Sequence, residues 1–304
     1  MEYAIKLTLS YDGSNSKDHQ IDLYDISQAL TGFHRTLALT THLLLNNKVI
    51  TQAPSLKGAQ VFALPAEEGS WKITAGIILS GTFMLGTVSK DTVIGNIIFS
   101  AYDYVISESL GFHIDFDKSL GQQYEEYNKN KENDNNKSIP EIKQYQLDSL
   151  IEKCSNSFKE MHRPIFKTAT AKYANLSVEI NQVSMKLTPT LDYDTYQYLE
   201  EEIIVEKPII IKGYVSSYNS NTFKGRIYNP KEGRPIPFEL SEDIKNNDTV
   251  GIIVKSLSDN ALNKKNREII YCKLFKTTTK TGRIKSYKIV KISKIEISNI
   301  KEDT

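Results

Sequence analysis

The sequence predicts an α+β protein of two units. An N-terminal antiparallel sheet carries a long helix and apolar Gly-rich helices, and a small antiparallel β-barrel of the OB or SH3-like kind follows. Three observations predict it. The chain opens on a period-two alternation, Tyr3, Ile5, Leu7 and Leu9, then passes into a helical stripe of Ile26, Leu30, Phe33 and Leu37. The run Asn128 to Lys137 holds only Asn, Lys, Glu and Asp, so it has no apolar surface with which to offset the entropy of ordering. Past residue 205, short β-rich segments alternate with turn-forming clusters.

Composition sets the outer limits. With 304 residues, 39% hydrophobic and 25% charged, the chain is long enough and apolar enough for two cores, which excludes a disordered tail. Two cysteines, Cys154 and Cys272, make no disulfide framework and no C-x-x-C spacing, pointing to a reducing, cytosolic environment. The opening strand is not the basic-then-apolar layout of a signal peptide.

The expected organisation is an α+β domain over 1–127 with an apolar region at 73–106, a polar linker over 128–139, a helical and connecting segment over 140–204, and a basic barrel over 205–304. In the first domain Asp22 or Asp25 starts the long helix. "AQVFALPA" and "GSWKITAGIIL" form a hairpin around Glu67 to Ser70. From Ile73 to Ser89 there is no charged residue over 17 positions, and "TVIGNIIFSAYDYVI" is interrupted only by Asp103. Both stretches are rich in the small residues that let membrane helices approach, yet each is short of the ~20 residues that span a bilayer core. Two readings stand open: buried core helices or an oligomer interface, and membrane-inserting helices. After the linker, Ser138-Ile139-Pro140-Glu141 has capping-box spacing, with Leu147, Leu150, Ile151, Cys154, Phe158 and Met161 at helical intervals up to about His162.

In the last unit strands are expected at "PIIIKGYVSSY", "TFKGRIYN", "RPIPFEL", "TVGIIVKSL", "EIIYCKLFKT" and "RIKSYKIVKISKIEI". The charge is unevenly placed. Residues 1–140 hold 11 Lys and Arg against 16 Asp and Glu, whereas 141–304 hold 27 against 21, and from Lys273 to Lys294 there are eight basic residues and no acidic one. Strand alternation puts Lys224, Arg226 and Tyr228 on one face of their strand and Arg283, Lys285 and Tyr287 on one face of theirs, so that two strands present cation, cation, aromatic on a single face; Arg234, Lys280 and Lys288 extend the basic set. Cations interleaved with rings suit single-stranded nucleic acid, because Lys and Arg track phosphates while bases stack on Tyr. Solvated strands protected from edge pairing would carry lysines too.

Catalytic chemistry is not expected. The five histidines, His19, His34, His42, His113 and His162, have no metal spacing, no phosphate-cradling Gly-rich loop occurs, and Asp115 with Asp117 is an isolated D-x-D pair. No metal or cofactor is implied.

The set "KGYVSSYNSNTFKGRIYNPKEGRPIPFEL", "TVGIIVKSL" and "TGRIKSYKI", with "EEGSWKITAGIIL" running into Gly-rich apolar segments, resembles the HalA effector family of the Hailong anti-phage defence systems. The likeness covers most of the chain and rests on a general pattern, with no catalytic signature. It implies a homo-oligomer, of tetramer order, acting at the cytoplasmic face of the inner membrane or cytoplasmic until activated. Such an effector opens a pore and is held inactive by single-stranded DNA oligomers that a partner nucleotidyltransferase-like protein supplies. Carried onto this chain, Ile77, Ile78, Phe83, Leu85, Ile94, Ile97 and Ile98 belong to the membrane or pore element, and the barrel is the DNA-binding regulator. The competing expectation is a soluble nucleic-acid- or nucleotide-binding sensor with no membrane activity.

Overall fold

The computed structural model of the protein describes residues 3–64, 71–80, 88–112, 142–180, 182–262, 268–278, 282 and 284–297. They form two compact units, 1–200 and 201–304. The first contains a five-stranded sheet of β1 (Ile5–Asp12), β2 (Ala59–Ala63), β3 (Lys72–Leu79), β4 (Tyr173–Ile180) and β5 (Val183–Leu191), in the order β2-β3-β1-β4-β5 with every neighbouring pair antiparallel. Alternation along β1 buries Ile5, Leu7, Leu9 and Tyr11, and that along β4 buries Ala174, Leu176, Val178 and Ile180. The register sets Leu7 opposite Val178 and Leu9 opposite Leu176, so the two strands share one apolar face. The other face is polar: Lys6 meets Glu179 at 2.7 Å, and the hydroxyls of Thr8 and Thr74 lie 2.8 Å apart.

Five helices belong to this unit among the described residues: α1 (Leu23–Asn46), α2 (Val88–Ser109), α3 (Gln144–Met161), α4 (Arg163–Phe166) and α5 (Tyr193–Glu200). Asp22 caps α1 by accepting from the Asp25 N–H at 2.9 Å, and Asn47, left-handed at φ 52°, ends it. Helix α2 buries Ile94, Ile97, Ile98, Ala101, Tyr102, Tyr104, Val105 and Ile106, covering most of its circumference, as a central core helix requires. A Cβ on Gly95 would lie 2.5 Å from the Ala4 carbonyl oxygen, and one on Gly32 would lie 2.4 Å from that of Ser157. These glycines therefore let α2 rest on the sheet and α1 on α3.

In this conformation the packing puts most of the described apolar residues in the core. Ile77 and Ile97 are 0% exposed, Ile94 and Ile98 1%, all within the first core, and Ile78 is half-buried. No helix among the described residues is long and apolar enough to cross a membrane. Phe83 and Leu85 lie outside the described residues, as do the turn 67–70, the linker 128–139, the capping-box stretch 138–141, His113, and Asp115 with Asp117. The connecting role expected of 140–204 also changes. β4 pairs with β1 from Tyr173 to Glu179 and α3 buries Leu147, Leu150, Cys154 and Phe158 in the first core, so these segments complete the first unit.

His162 shows how tightly this core is closed. Its ring is 0% exposed, with Nδ1 2.7 Å from the Phe158 carbonyl and Nε2 3.0 Å from the Thr195 hydroxyl. A carbonyl only accepts, so Nδ1–H donates and Nε2 receives the Thr195 hydroxyl proton. Burial pulls the pKa down from 6.5 to about 4. The unfolded chain thus takes up a proton below pH 6.5 that the folded chain refuses until about pH 4. Stability contributed by the neutral ring is whole above that window and is lost as pH falls through it, by up to about 3 kcal/mol. Urea unfolding of the first unit between pH 7 and 4 is expected to show this slope, and His162→Gln to flatten it.

The second unit consists of β6 (Ile203–Ile204), β7 (Ile209–Asn219), β8 (Lys224–Asn229), β9 (Arg234–Leu240), α6 (Asn247–Ala261), β10 (Ile270–Thr278) and β11 (Ile284–Ser293). Pairing runs β7-β8-β9-β11-β10 and back to β7, which closes a five-stranded barrel, with β6 added beside β10. All barrel pairs are antiparallel except β9 with β11. A closed barrel with one helix between its third and fourth strands and a parallel pairing of its third and fifth is the OB arrangement. Val215, Ile227, Ile236, Ile253, Cys272, Leu274 and Ile289 fill it.

One expected strand is a helix. "TVGIIVKSL" lies in α6, where the Asn246 side chain accepts from the Thr249 N–H at 2.9 Å and Thr249, Ile253 and Ser256 are buried on one face. Its β-branched residues favour strand locally, but the tertiary contacts decide. β7 has a bulge between Val215 and Ser217; Ser256 Oγ accepts from the Val215 N–H at 3.1 Å, and Asn260 donates to the Val215 carbonyl at 3.3 Å. The helix satisfies backbone groups at the irregular ladder.

Candidate nucleic-acid interface

The expected alternation holds on β8. Ile227 and Asn229 are buried toward the barrel interior, so Lys224, Arg226 and Tyr228 share the outer face. Opposite them on β9 stand Glu239, Pro237 and Pro235 in register. Tyr228 stacks on Tyr214 of β7, with ring centroids 4.9 Å apart and planes within 12°. Tyr214 was not expected in this group, although the alternation in "IKGY" already puts Lys212 and Tyr214 on one face. Arg226 is only 5% exposed.

On β11 the alternation breaks. Thr277 pairs with Ser286 but Thr278 pairs with Ile284, so Lys285 is the extra residue of a bulge. The slip of one residue moves the following side chains to the opposite face. Tyr287 consequently points inward, 1% exposed, with its hydroxyl accepting from Asn229 Nδ2 at 2.9 Å, and burial raises its pKa. This corrects the expectation that Lys285 and Tyr287 line one face. Lys285, its side chain 13% exposed, donates to the Glu201 carbonyl at 2.9 Å and lies 3.6 Å from the Glu202 carboxylate. It fastens the lead-in segment to the barrel, so its charge is largely answered within the fold.

The remaining expected residues separate by place. Arg234 donates from Nη2 to the Ile284 carbonyl at 3.1 Å, clasping the start of β9 to the start of β11. Lys288 is exposed on the outer face opposite Phe275 of β10. Lys280 and Arg283 lie outside the described residues, in the β10–β11 connection. At the other end of β8, Lys245 sits 5.2 Å above the Phe223 ring and 2.6 Å from Glu242. The structure therefore brings Lys224, Arg226 and Tyr228 together on one strand.

Burial pushes both the Cys154 and Cys272 thiols up to about 12, so they stay protonated and poorly nucleophilic. No group of three or more His, Cys, Asp or Glu among the described residues could hold a metal ion.

Residues 207–293 match DUF7947, a family of unknown function. No curated protein and no solved structure matches the chain. Residues 7–200 match DUF7946, described as a domain of unknown function, and since that match spans more than half of the chain the protein belongs to this family.

Proposed function

We propose that the protein is an oligonucleotide-controlled effector of anti-phage defence, whose barrel binds a single-stranded DNA oligomer across the outer face of β8 and β9. The observation that carries this is the placement of Lys224, Arg226 and Tyr228 on one outer face of the second strand of a closed OB barrel. Lys224 there neutralises a phosphate and the stacked Tyr214–Tyr228 rings offer a platform for bases. The described residues put no basic helix in a position to read a duplex groove.

The output is membrane disruption by a homo-oligomer, of tetramer order, at the inner membrane, using the apolar region 73–106. Ile94, Ile97 and Ile98 are core residues here, so membrane activity requires α2 to leave its sheet, exposing side chains worth roughly 1.5–3 kcal/mol each. An oligomer that binds only the closed arrangement stabilises it by its differential affinity, and its loss lets the equilibrium relax. A nucleotidyltransferase-like protein is the class of partner that makes such a ligand. The burial of those isoleucines favours a second reading, an oligonucleotide sensor that recruits a protein and never enters the membrane.

Fluorescence anisotropy with an oligothymidylate of about 15 nucleotides tests the binding step. Affinity is expected to fall with salt at a log–log slope of about −0.7 per phosphate contact. Lys224→Glu should weaken it by about tenfold, roughly the 1.4 kcal/mol of one lost charge-assisted contact. A wild-type protein that binds no oligonucleotide, or binds it independently of salt, overturns the reading. Nuclease removal of the oligomer in vesicle suspensions separates the two outputs, since only a membrane effector then releases trapped dye.

A further inference from the structure

The lysines of the β10–β11 hairpin remain to be explained. Edge protection, the ordinary reason for strand lysines, does not apply: β10 lies between β7 and β11, β11 between β10 and β9, and a closed barrel has no edge there. Lys273 stands directly opposite Lys291 on the outer face, a like-charge cross-strand pair that destabilises a sheet. Among the described residues neither lysine has a carboxylate within ion-pairing distance. Phe275 and Tyr271 flank Lys273 on the same face, and Lys212 of β7 stands opposite Tyr271.

This surface is continuous with the face proposed for the oligomer. The register aligns Lys224 of β8, Glu239 of β9, Lys288 of β11 and Phe275 of β10 in one row across four strands. Such a row spans about 14 Å, and Phe275 to Tyr271 adds about 13 Å along β10. Its single carboxylate, Glu239, is exposed and faces a lysine on either side.

Resting on the binding reading above, we infer that the outer face of β10 and β11 is a second phosphate track, over which a single strand longer than the β8–β9 face continues around the barrel. Phosphates supply the missing counter-charge between Lys273 and Lys291, and Phe275 and Tyr271 lie where bases turn inward. Rings held half-buried on a strand face are placed for stacking.

Binding of oligothymidylates of about 4 and about 16 nucleotides, compared at several salt concentrations, tests this. The wild type should favour the longer strand. Lys291→Glu, which sets a carboxylate opposite Lys273, should raise the melting temperature of the barrel and yet weaken the long oligomer by about tenfold, leaving the short one unchanged. The neutral pair Lys273→Gln/Lys291→Gln should reduce the salt slope for the long strand alone by about 1.4, at 0.7 per contact. A higher melting temperature with unchanged long-strand affinity overturns the inference. If the wild type binds neither length, the binding reading itself has failed. Loss of both lengths only in Lys224→Glu, with the hairpin variants silent, spares that reading and removes the second track.

Discussion

Ile97→Asp is expected to abolish the cooperative unfolding transition of residues 1–200 and to leave that of the barrel in place. The side chain is 0% exposed and surrounded by Leu, Ile and Tyr residues of the first core. Losing its apolar contacts costs about 2–5 kcal/mol, and a carboxylate without a partner at that site adds several more. A domain has only about 5–15 kcal/mol to lose. The barrel is insulated because its core is a separate cluster around Val215, Ile227 and Phe238. Calorimetry should resolve two transitions in the wild type and one in the variant. Two undiminished transitions in the variant would show that Ile97 is not held in a core.

Much of this architecture was legible in the sequence, and the exceptions have physical causes. The stripe of α1 and the alternation of β1, β7, β8 and β9 could be read because each element keeps one face in a core, which imposes its period on the residues. α2 could not be assigned to core or membrane, since a helix buried on nearly all sides and a lipid-facing helix call for the same apolar composition. In this conformation it is buried. α6 was mistaken for a strand because its β-branched residues outweighed a period only a tertiary partner enforces, namely the bulged β7 that Ser256 and Asn260 complete. In the candidate site the trio on β8 was legible and the trio on β11 was not. The difference is one residue: the bulge at Lys285 turns Tyr287 inward, and no local signal separates that strand from a regular one.

That single slip provides the second large prediction, a contrast between two tyrosines that the sequence alone treats as equivalents. Tyr287→Ala should damage the fold: removing a ring that is 1% exposed costs about 3–5 kcal/mol. Asn229 Nδ2 then loses its acceptor inside the barrel, for a further ~1–3 kcal/mol. The barrel is expected to melt far below the wild type or to fail to fold. Tyr228→Ala should do the opposite. Its ring lies on the outer wall against Tyr214, so the stability lost is about that of one aromatic pair, ~0.5–1.5 kcal/mol. The oligonucleotide should nevertheless bind about 5- to 150-fold more weakly, the equivalent of ~1–3 kcal/mol for one stacked base. Tyr228→Phe, which keeps the π-face and drops the hydroxyl, should bind nearly as well as the wild type. Melting temperature and anisotropy measured on the same preparations give both axes. Were Tyr228→Ala to keep full affinity in a folded barrel, the bases would not stack on β8, and the face that carries the proposed function would have to be abandoned whatever the charge of its lysines.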